Sequence, residues 1–366
     1  MRNLSEQDVR DIILGCTVLG TGGGGDPEIG LRVLEEDFRE GRTFRLASLA
    51  EIPDEGYVAS PYVCGAISPE TEEERKKYAR FTDLGVPTPA IAFEKLQDYI
   101  GTPFYGVIST ELGGANTAYA LHIGALLDKA IVDGDFAGRS VPGVQHNSCN
   151  ICGIPMTPFA VASKFGDAAV FSDVVDEERA EALIRAMSVV SQNNIGVVDH
   201  PMQGRTLKKS VIPDAISMAL RIGQILRQSR EAGRNPVQEI AEAFDGKVLF
   251  CGEVSQVTWD TVGGYTEGDV HLSGSGAYSG ESYRIWFQNE NIISWRNGEV
   301  DVCVPDLICL MGEDGVPVTN PNMEKGQKVT AFALPAPELW KSERGLELFG
   351  PKSFGFDVEY EGIEKR

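Results

Sequence analysis

The sequence predicts an α/β protein in two parts. A layered α/β domain is expected over residues 1–245 and a small β barrel or sandwich over 246–336, with a tail, 337–366, packed back on the body. Three observations carry this. The first 245 residues alternate helix-period and strand-like apolar patterns, as layered α/β domains do. After Asp245-Gly246 the texture changes to short β-branched and aromatic runs split by glycine and polar turns. Within that stretch Asn297-Gly298 sits between two strand-like runs, and this dipeptide accepts the positive φ of a type I′ hairpin turn.

The elements follow in order. Ser5 precedes Asp8 at capping-box spacing, and Val9, Ile12 and Ile13 continue at helical period. That helix runs into Gly20-Thr21-Gly22-Gly23-Gly24-Gly25-Asp26-Pro27, after which 27–38 reads as a second helix with proline in its first turn. Strands are expected at 57–63, 105–108, 130–132, 168–171 and 196–199. Helices are expected at 90–99, 116–128, 177–190 and 213–231, and an amphipathic tail segment around 339–348.

Composition narrows the function classes. The 366 residues carry 54 acidic against 33 basic side chains, a formal charge of −21. That field repels a phosphate backbone and an anionic membrane surface, so neither nucleic acid nor membrane is an expected partner. No run approaches the ~20 apolar residues of a membrane-spanning helix, and the N-terminus lacks a secretory pattern. The expectation is an acidic, cytoplasmic protein. Seven scattered cysteines do not make a disulfide framework. Cys149 and Cys152, with His146 upstream, have the spacing of a metal or redox pair, but no second ligand pair exists; a packed, reduced pair is the simpler expectation.

Three glycine-marked acidic segments are the candidate chemistry. The four glycines Gly22 to Gly25 cost conformational entropy and suit close backbone approach. They match neither the dinucleotide fingerprint nor the phosphate loop, so no nucleotide cofactor is expected. They read either as a tight helix–helix turn or as a pocket wall with Asp26 pointing into it. Glu111 lies just past an apolar strand, where α/β sheets bind ligands. With Gly113 and Gly114 allowing the chain to turn, Glu111 is a candidate general acid or base and Asn116 a hydrogen-bonder or cap. Asp133 and Asp135 share a strand face, with Arg139 beyond; the pair could activate water or ligate a divalent metal, and Arg139 could neutralise one carboxylate or clamp an anionic substrate, or the group is a structural Asp–Arg pair. Asn289-Glu290-Asn291 interrupts a strand-like run, most simply as a hairpin or bulge and otherwise as a site contact, since buried polar residues there need partners. His200 and His271 stand in isolation and read as structural, and no GxSxG elbow is present.

Taken together, ILGCTVLGTGGGGDP (13–27), STELGGAN (109–116), VDGDFAGRSVPGVQ (132–145), GIPMTP (153–158), WFQNENIIS (286–294), PDLICLM (305–311) and GLELFGPKSFGFD (345–357) resemble the S-methyl-thiohydantoin desulfurase family, long catalogued beside hydantoinases. The resemblance spans essentially the whole chain in order. It implies an N-terminal α/β domain of unusual topology and a C-terminal β-barrel-like domain. It also implies hydrolysis of an S-methylated thiohydantoin to a hydantoin and methanethiol. On the residues alone two other readings stay open: a non-catalytic partner subunit docking on a hydantoinase- or oxoprolinase-type enzyme, and a hydrolase of another cyclic amide. A homo-oligomer also stays open.

Overall fold

The computed structural model describes residues 1–65 and 72–365. Ser5 closes the first helix, Glu6–Leu19, with the reciprocal Asp8 capping box its spacing predicts. Pro27 opens the second, Pro27–Arg39. Among the described residues a nine-stranded mixed sheet forms the α/β layer. Its centre is parallel: Phe44–Ala47, Ala130–Asp135, Phe104–Ser109 and Tyr57–Gly65 lie side by side in that order. Helices Thr88–Ile100 and Asn116–Leu126 make the crossovers between the last three in sequence order, as parallel pairing requires. Antiparallel neighbours extend both sides: Arg2–Leu4 at one edge, and Asn194–Gln203, Phe159–Ala162 and Ala168–Phe171 at the other. Parallel centre with antiparallel flanks is the unusual part of the topology.

Proline and turn chemistry shift some boundaries. Where a helix was expected from residue 213, Ile212–Pro213 instead pairs antiparallel with Ala130–Asp135, and helix Ala215–Glu231 starts only after Asp214. Phe44–Ala47 (apolar but for Arg45) and the fully apolar Phe159–Ala162 are four-residue strands, too short for periodicity to distinguish from loop or helix.

The second sheet begins at Lys247. Its seven strands run antiparallel throughout, in the order Glu299–Cys303, Glu290–Arg296, Ser282–Gln288, Tyr265–Gly274, Lys247–Val262, Lys328–Leu334, Leu307–Gly312. Register shifts, among them those at Val254/Gln256 and Trp286/Phe287, curl it into a half-barrel. Asn297 (φ 52) and Gly298 (φ 90) join two paired strands, as a type I′ turn does. The whole is a two-domain α/β architecture with a curled antiparallel C-terminal sheet.

The two sheets share apolar cores rather than merely touching. Leu307, Cys309, Met311, Phe332 and Leu334 of the second sheet pack in one cluster with Ile12, Cys16, Leu121 and Ile131 of the first layer. The tail closes the other side: Trp340 donates its indole N–H to Ala137 O at 2.7 Å and packs with Phe349, Ile292 and Val304.

Candidate active site

The site is built where the glycine turn, the Glu111 loop and the segment after Asp135 meet the second sheet. Gly24 and Gly113 touch backbone to backbone: a Cβ on Gly113 would stand 2.4 Å from Gly24 Cα. Gly24 O accepts from Ala115 N (3.1 Å) and Asn116 N (3.3 Å), which ties the turn to the start of helix Asn116–Leu126. Gly25 and Gly114 continue this contact, while Gly22 faces Asn320. Gly23 has the decisive neighbour. A Cβ there would fall 1.8 Å from Glu290 Oε1, so only glycine lets this carboxyl lie against the turn.

Glu111 is 7% exposed. Its Oε2 accepts from Val141 N at 2.7 Å and its Oε1 from the Asn116 side-chain amide. Burial pushes its pKa from the usual 4.5 to about 7, although Val141 N, Asn116, Ser140 and the Arg139 charge all favour the ionised form. Glu290 is 2% exposed and reaches in from the second sheet. Ser140 Oγ donates to its Oε1 at 2.8 Å; its Oε2 is buried with no hydrogen-bond partner among the described residues. Burial first, then repulsion from Glu111, raise it to about 8. Two carboxyls from different sheets thus sit on consecutive residues, Ser140 and Val141, and repel each other. Half-buried Gly23, Gly25, Asn116, Val141 and Asn320 form the rim.

Arg139 lies beneath the pair, fully buried. The structure corrects its expected role of neutralising Asp133 or Asp135. Its Nε donates to Ser140 O, Nη1 to Pro305 O (3.0 Å) and Asp306 O (3.1 Å), and Nη2 to Thr21 Oγ1 (2.8 Å) and Asn291 O. The Phe349 ring covers it at 4.9 Å. Among the described residues no carboxylate comes within ion-pair distance of it.

Two other carboxylates are also occupied elsewhere. Asp133 receives Ser217 N at 2.9 Å and Ser217 Oγ at 2.5 Å, so both oxygens bind the first turn of helix Ala215–Glu231, where a negative charge is favoured. Asp26 is exposed and caps helix Pro27–Arg39 through Glu28 N at 2.7 Å instead of pointing into a pocket. Asp135 is fully buried, accepts Gly138 N on both oxygens at 2.8 Å, and is raised well above the usual carboxylate range by burial, with Glu111 adding repulsion. It therefore borders the site from below. Asp133 and Asp135 do not form a ligand set: among the described residues no group of three or more His, Cys, Asp or Glu is placed to hold a metal ion.

The histidines and cysteines belong elsewhere. His146 is buried against Phe349 and Phe354 and accepts Gly143 N; burial, then the Arg139 charge, lower it to about 4. Cys149 is buried whereas Cys152 is exposed, so they are not a packed pair. His200 is not isolated: burial would lower its pKa, but Asp199 at 2.9 Å and Glu177 more than offset this and raise it to about 9.

Asn320 is the residue here that sequence reasoning missed, and Glu290 and Asn291 were read as a site contact only as the lesser alternative to a hairpin or bulge. The Asn289-Glu290-Asn291 interruption was the available signal. Asn289 (φ 55) makes a one-residue turn between paired Gln288 and Glu290, and the residues after it face the glycine turn. Asn291 N donates to Thr21 O and Asn320 N to Gly22 O, both at 2.8 Å.

Two family profiles match the chain: S-Me-THD-like, N-terminal domain, over residues 7–173, and S-Me-THD-like, C-terminal domain, over 175–363. The chain belongs to the S-Me-THD-like family. The boundary between the two family regions, near 174, falls within the nine-stranded sheet, so strand Asn194–Gln203 completes a layer begun in the other region. Among solved structures, the X-ray crystal structure of a protein from Chromobacterium violaceum is similar, with a TM-score of 0.79 and 21% identity, covering 99% of this chain and 100% of that one. That likeness concerns the fold. No curated protein matches. Among the described residues no helix is long and apolar enough to cross a membrane.

Proposed function

We propose that this S-Me-THD-like protein is a hydrolase of S-methylated thiohydantoins, releasing methanethiol and leaving a hydantoin, with Glu111 and Glu290 as its acid–base pair. The observation that carries the reading is the buried, mutually repelling pair itself. Two carboxyls whose environments raise both values toward neutrality supply one base and one acid at working pH.

The steps balance as follows. Glu111, the lower of the two, is ionised and takes a proton from water as the water oxygen bonds to the ring carbon bearing sulfur. Protonated Glu290 gives its proton to the adjacent ring nitrogen. The new hydroxyl then returns a proton to Glu290 as the C–S bond breaks, and Glu111 passes its proton to the departing thiolate. Water's oxygen ends as the ring carbonyl, and both carboxyls recover their starting states. Arg139 does not touch the substrate here. Its charge, held under the pair by backbone carbonyls, limits how far burial can suppress ionisation of both carboxyls.

The test is methanethiol release from a 2-methylthio-imidazolone ring by the purified chain. Glu111→Gln and Glu290→Gln, each shown to be folded, should lose roughly 10²–10⁴-fold in kcat/KM, the usual worth of general acid–base groups. Wild-type turnover retained in both would overturn the assignment. Absence of turnover by the wild-type chain alone, restored by a hydantoinase-type protein, would favour the partner-subunit reading.

A further inference from the structure

Beyond the acid–base pair, two buried oxygens on residues that face neighbouring glycines, Gly23 and Gly22, have no partner among the described residues: Glu290 Oε2 and Asn320 Oδ1. Leaving a buried acceptor unmatched costs stability, so such atoms in a native site ask for a donor. Their placement is fixed. Ser140 Oγ holds Glu290 by Oε1, which leaves Oε2 as the open oxygen. The Asn320 amide cannot be turned over. Its Nδ2 donates to the Asn289 carbonyl at 2.8 Å and to Asn291 Oδ1 at 3.0 Å, and the Asn289 carbonyl can only accept. Asn291 is itself oriented by donating Nδ2 to Ile308 O at 2.9 Å, so its Oδ1 must be the acceptor. Asn320 Oδ1 is therefore left over by construction.

Both residues touch the Asn289–Asn291 turn and face neighbouring glycines of the Gly22–Gly25 turn. The Asn289–Asn291 turn carries Glu290 and clasps Asn320, while Gly22 faces Asn320 and Gly23 faces Glu290 across the domain boundary. Two oxygens are far short of the six or more that a calcium or magnesium ion collects. N–H donors suit them better.

We propose that Glu290 Oε2 and Asn320 Oδ1 form the hydrogen-bonding side of a recognition site for the ring nitrogens of a five-membered cyclic amide: Asn320 Oδ1 accepts a ring N–H and is the specificity-determining contact, while Glu290 Oε2 accepts one only after its proton has passed to the ring. The proposal rests on the hydrolase reading and deepens it: a ring whose reacting carbon is flanked by two nitrogens presents donors on both sides of that carbon once water has added. Methylating a ring nitrogen removes a donor and places a methyl group against a buried oxygen.

Binding is measured apart from turnover, with hydantoin, 1-methylhydantoin and 3-methylhydantoin titrated calorimetrically into the wild-type chain and Asn320→Ala. Hydantoin should bind the wild type, at least one N-methyl derivative should bind on the order of 10–100-fold more weakly, as sites built around a buried polar match reject analogues that lack it, and Asn320→Ala should lose most of that difference. Equal affinity for all three rings, no hydantoin binding at millimolar concentration, or a folded Asn320→Ala that still discriminates would each overturn the proposal. If Asn320→Ala does not fold, the wild-type series alone decides. Discrimination without methanethiol release in the companion assay would remove the desulfurase reading and leave ring recognition standing.

Discussion

Glu111 and Glu290 lie 179 positions apart in the sequence, one just past a strand of the first sheet and the other on the second, yet adjacent residues hold them: Val141 N donates to Glu111 Oε2 at 2.7 Å and Ser140 Oγ to Glu290 Oε1 at 2.8 Å. A displacement of this short segment would move both carboxyls together, which keeps their mutual geometry while allowing each to be tuned by its own surroundings.

On the proposed mechanism the pair sets a narrow pH optimum. Activity needs Glu111 ionised and Glu290 protonated, so kcat/KM should rise through a step near 7 and fall through one near 8. Because the groups repel each other, the two limbs belong to the pair as a whole. Glu290→Gln should remove the alkaline limb; a profile flat from pH 6 to 9 in the wild type would contradict the assignment.

Stability responds to pH in a direction that follows from the same burial. Both carboxyls have folded values above the ordinary 4.5, so between there and about 8 the folded chain binds more protons than the unfolded one. Their contribution is fully present below the unfolded value and is lost as pH rises through the folded ones. Melting temperatures of Glu290→Gln and wild type should therefore diverge in favour of the variant between pH 5 and pH 9. A constant difference across that range would count against a raised Glu290.

Gly23 is predicted to be intolerant for one reason only. Its φ is not in the left-handed region, so alanine suits the backbone, but the new methyl would meet Glu290 Oε1 at 1.8 Å. Gly23→Ala should fold and lose roughly 10–10³-fold of activity as Glu290 is pushed from Ser140. Circular dichroism and methanethiol release together check this.

Asp133 should behave as a helix-terminal residue. Asp133→Asn keeps one acceptor for Ser217 but removes the negative charge at the start of Ala215–Glu231, which should cost about 1 kcal/mol of stability. Activity per folded molecule should stay near wild type. A hundredfold loss with unchanged melting temperature would instead restore Asp133 to the chemistry.

How much of this was legible beforehand differs by kind of residue. The change of texture at Asp245-Gly246 and the Asn297-Gly298 turn are local signals, and the second sheet follows them closely. Glu111 was legible because a carboxylate just past a strand is a position rule of α/β sheets. Asp133 and Arg139 were legible as polar residues but not in their pairing, since Arg139 chooses carbonyls of residues 291, 305 and 306, far along the chain. The partner of Glu290 was hidden for the same reason. A turn within a strand-like run says that a polar residue is there, not that a glycine more than 260 residues earlier makes room for it.

Arg139 also bears on how the chain folds. Its guanidinium is fully buried, and four of its five hydrogen bonds leave its own segment, three of them to carbonyls of the second sheet or its connections and one to Thr21. An α/β layer formed alone would therefore expose or strand a cation that only the other sheet can satisfy, a penalty of several kcal/mol for an unpaired buried charge. The two sheets are thus thermodynamically interdependent. Unfolding should proceed as one transition, and the acid–base pair should come into being at the moment the halves dock, never before.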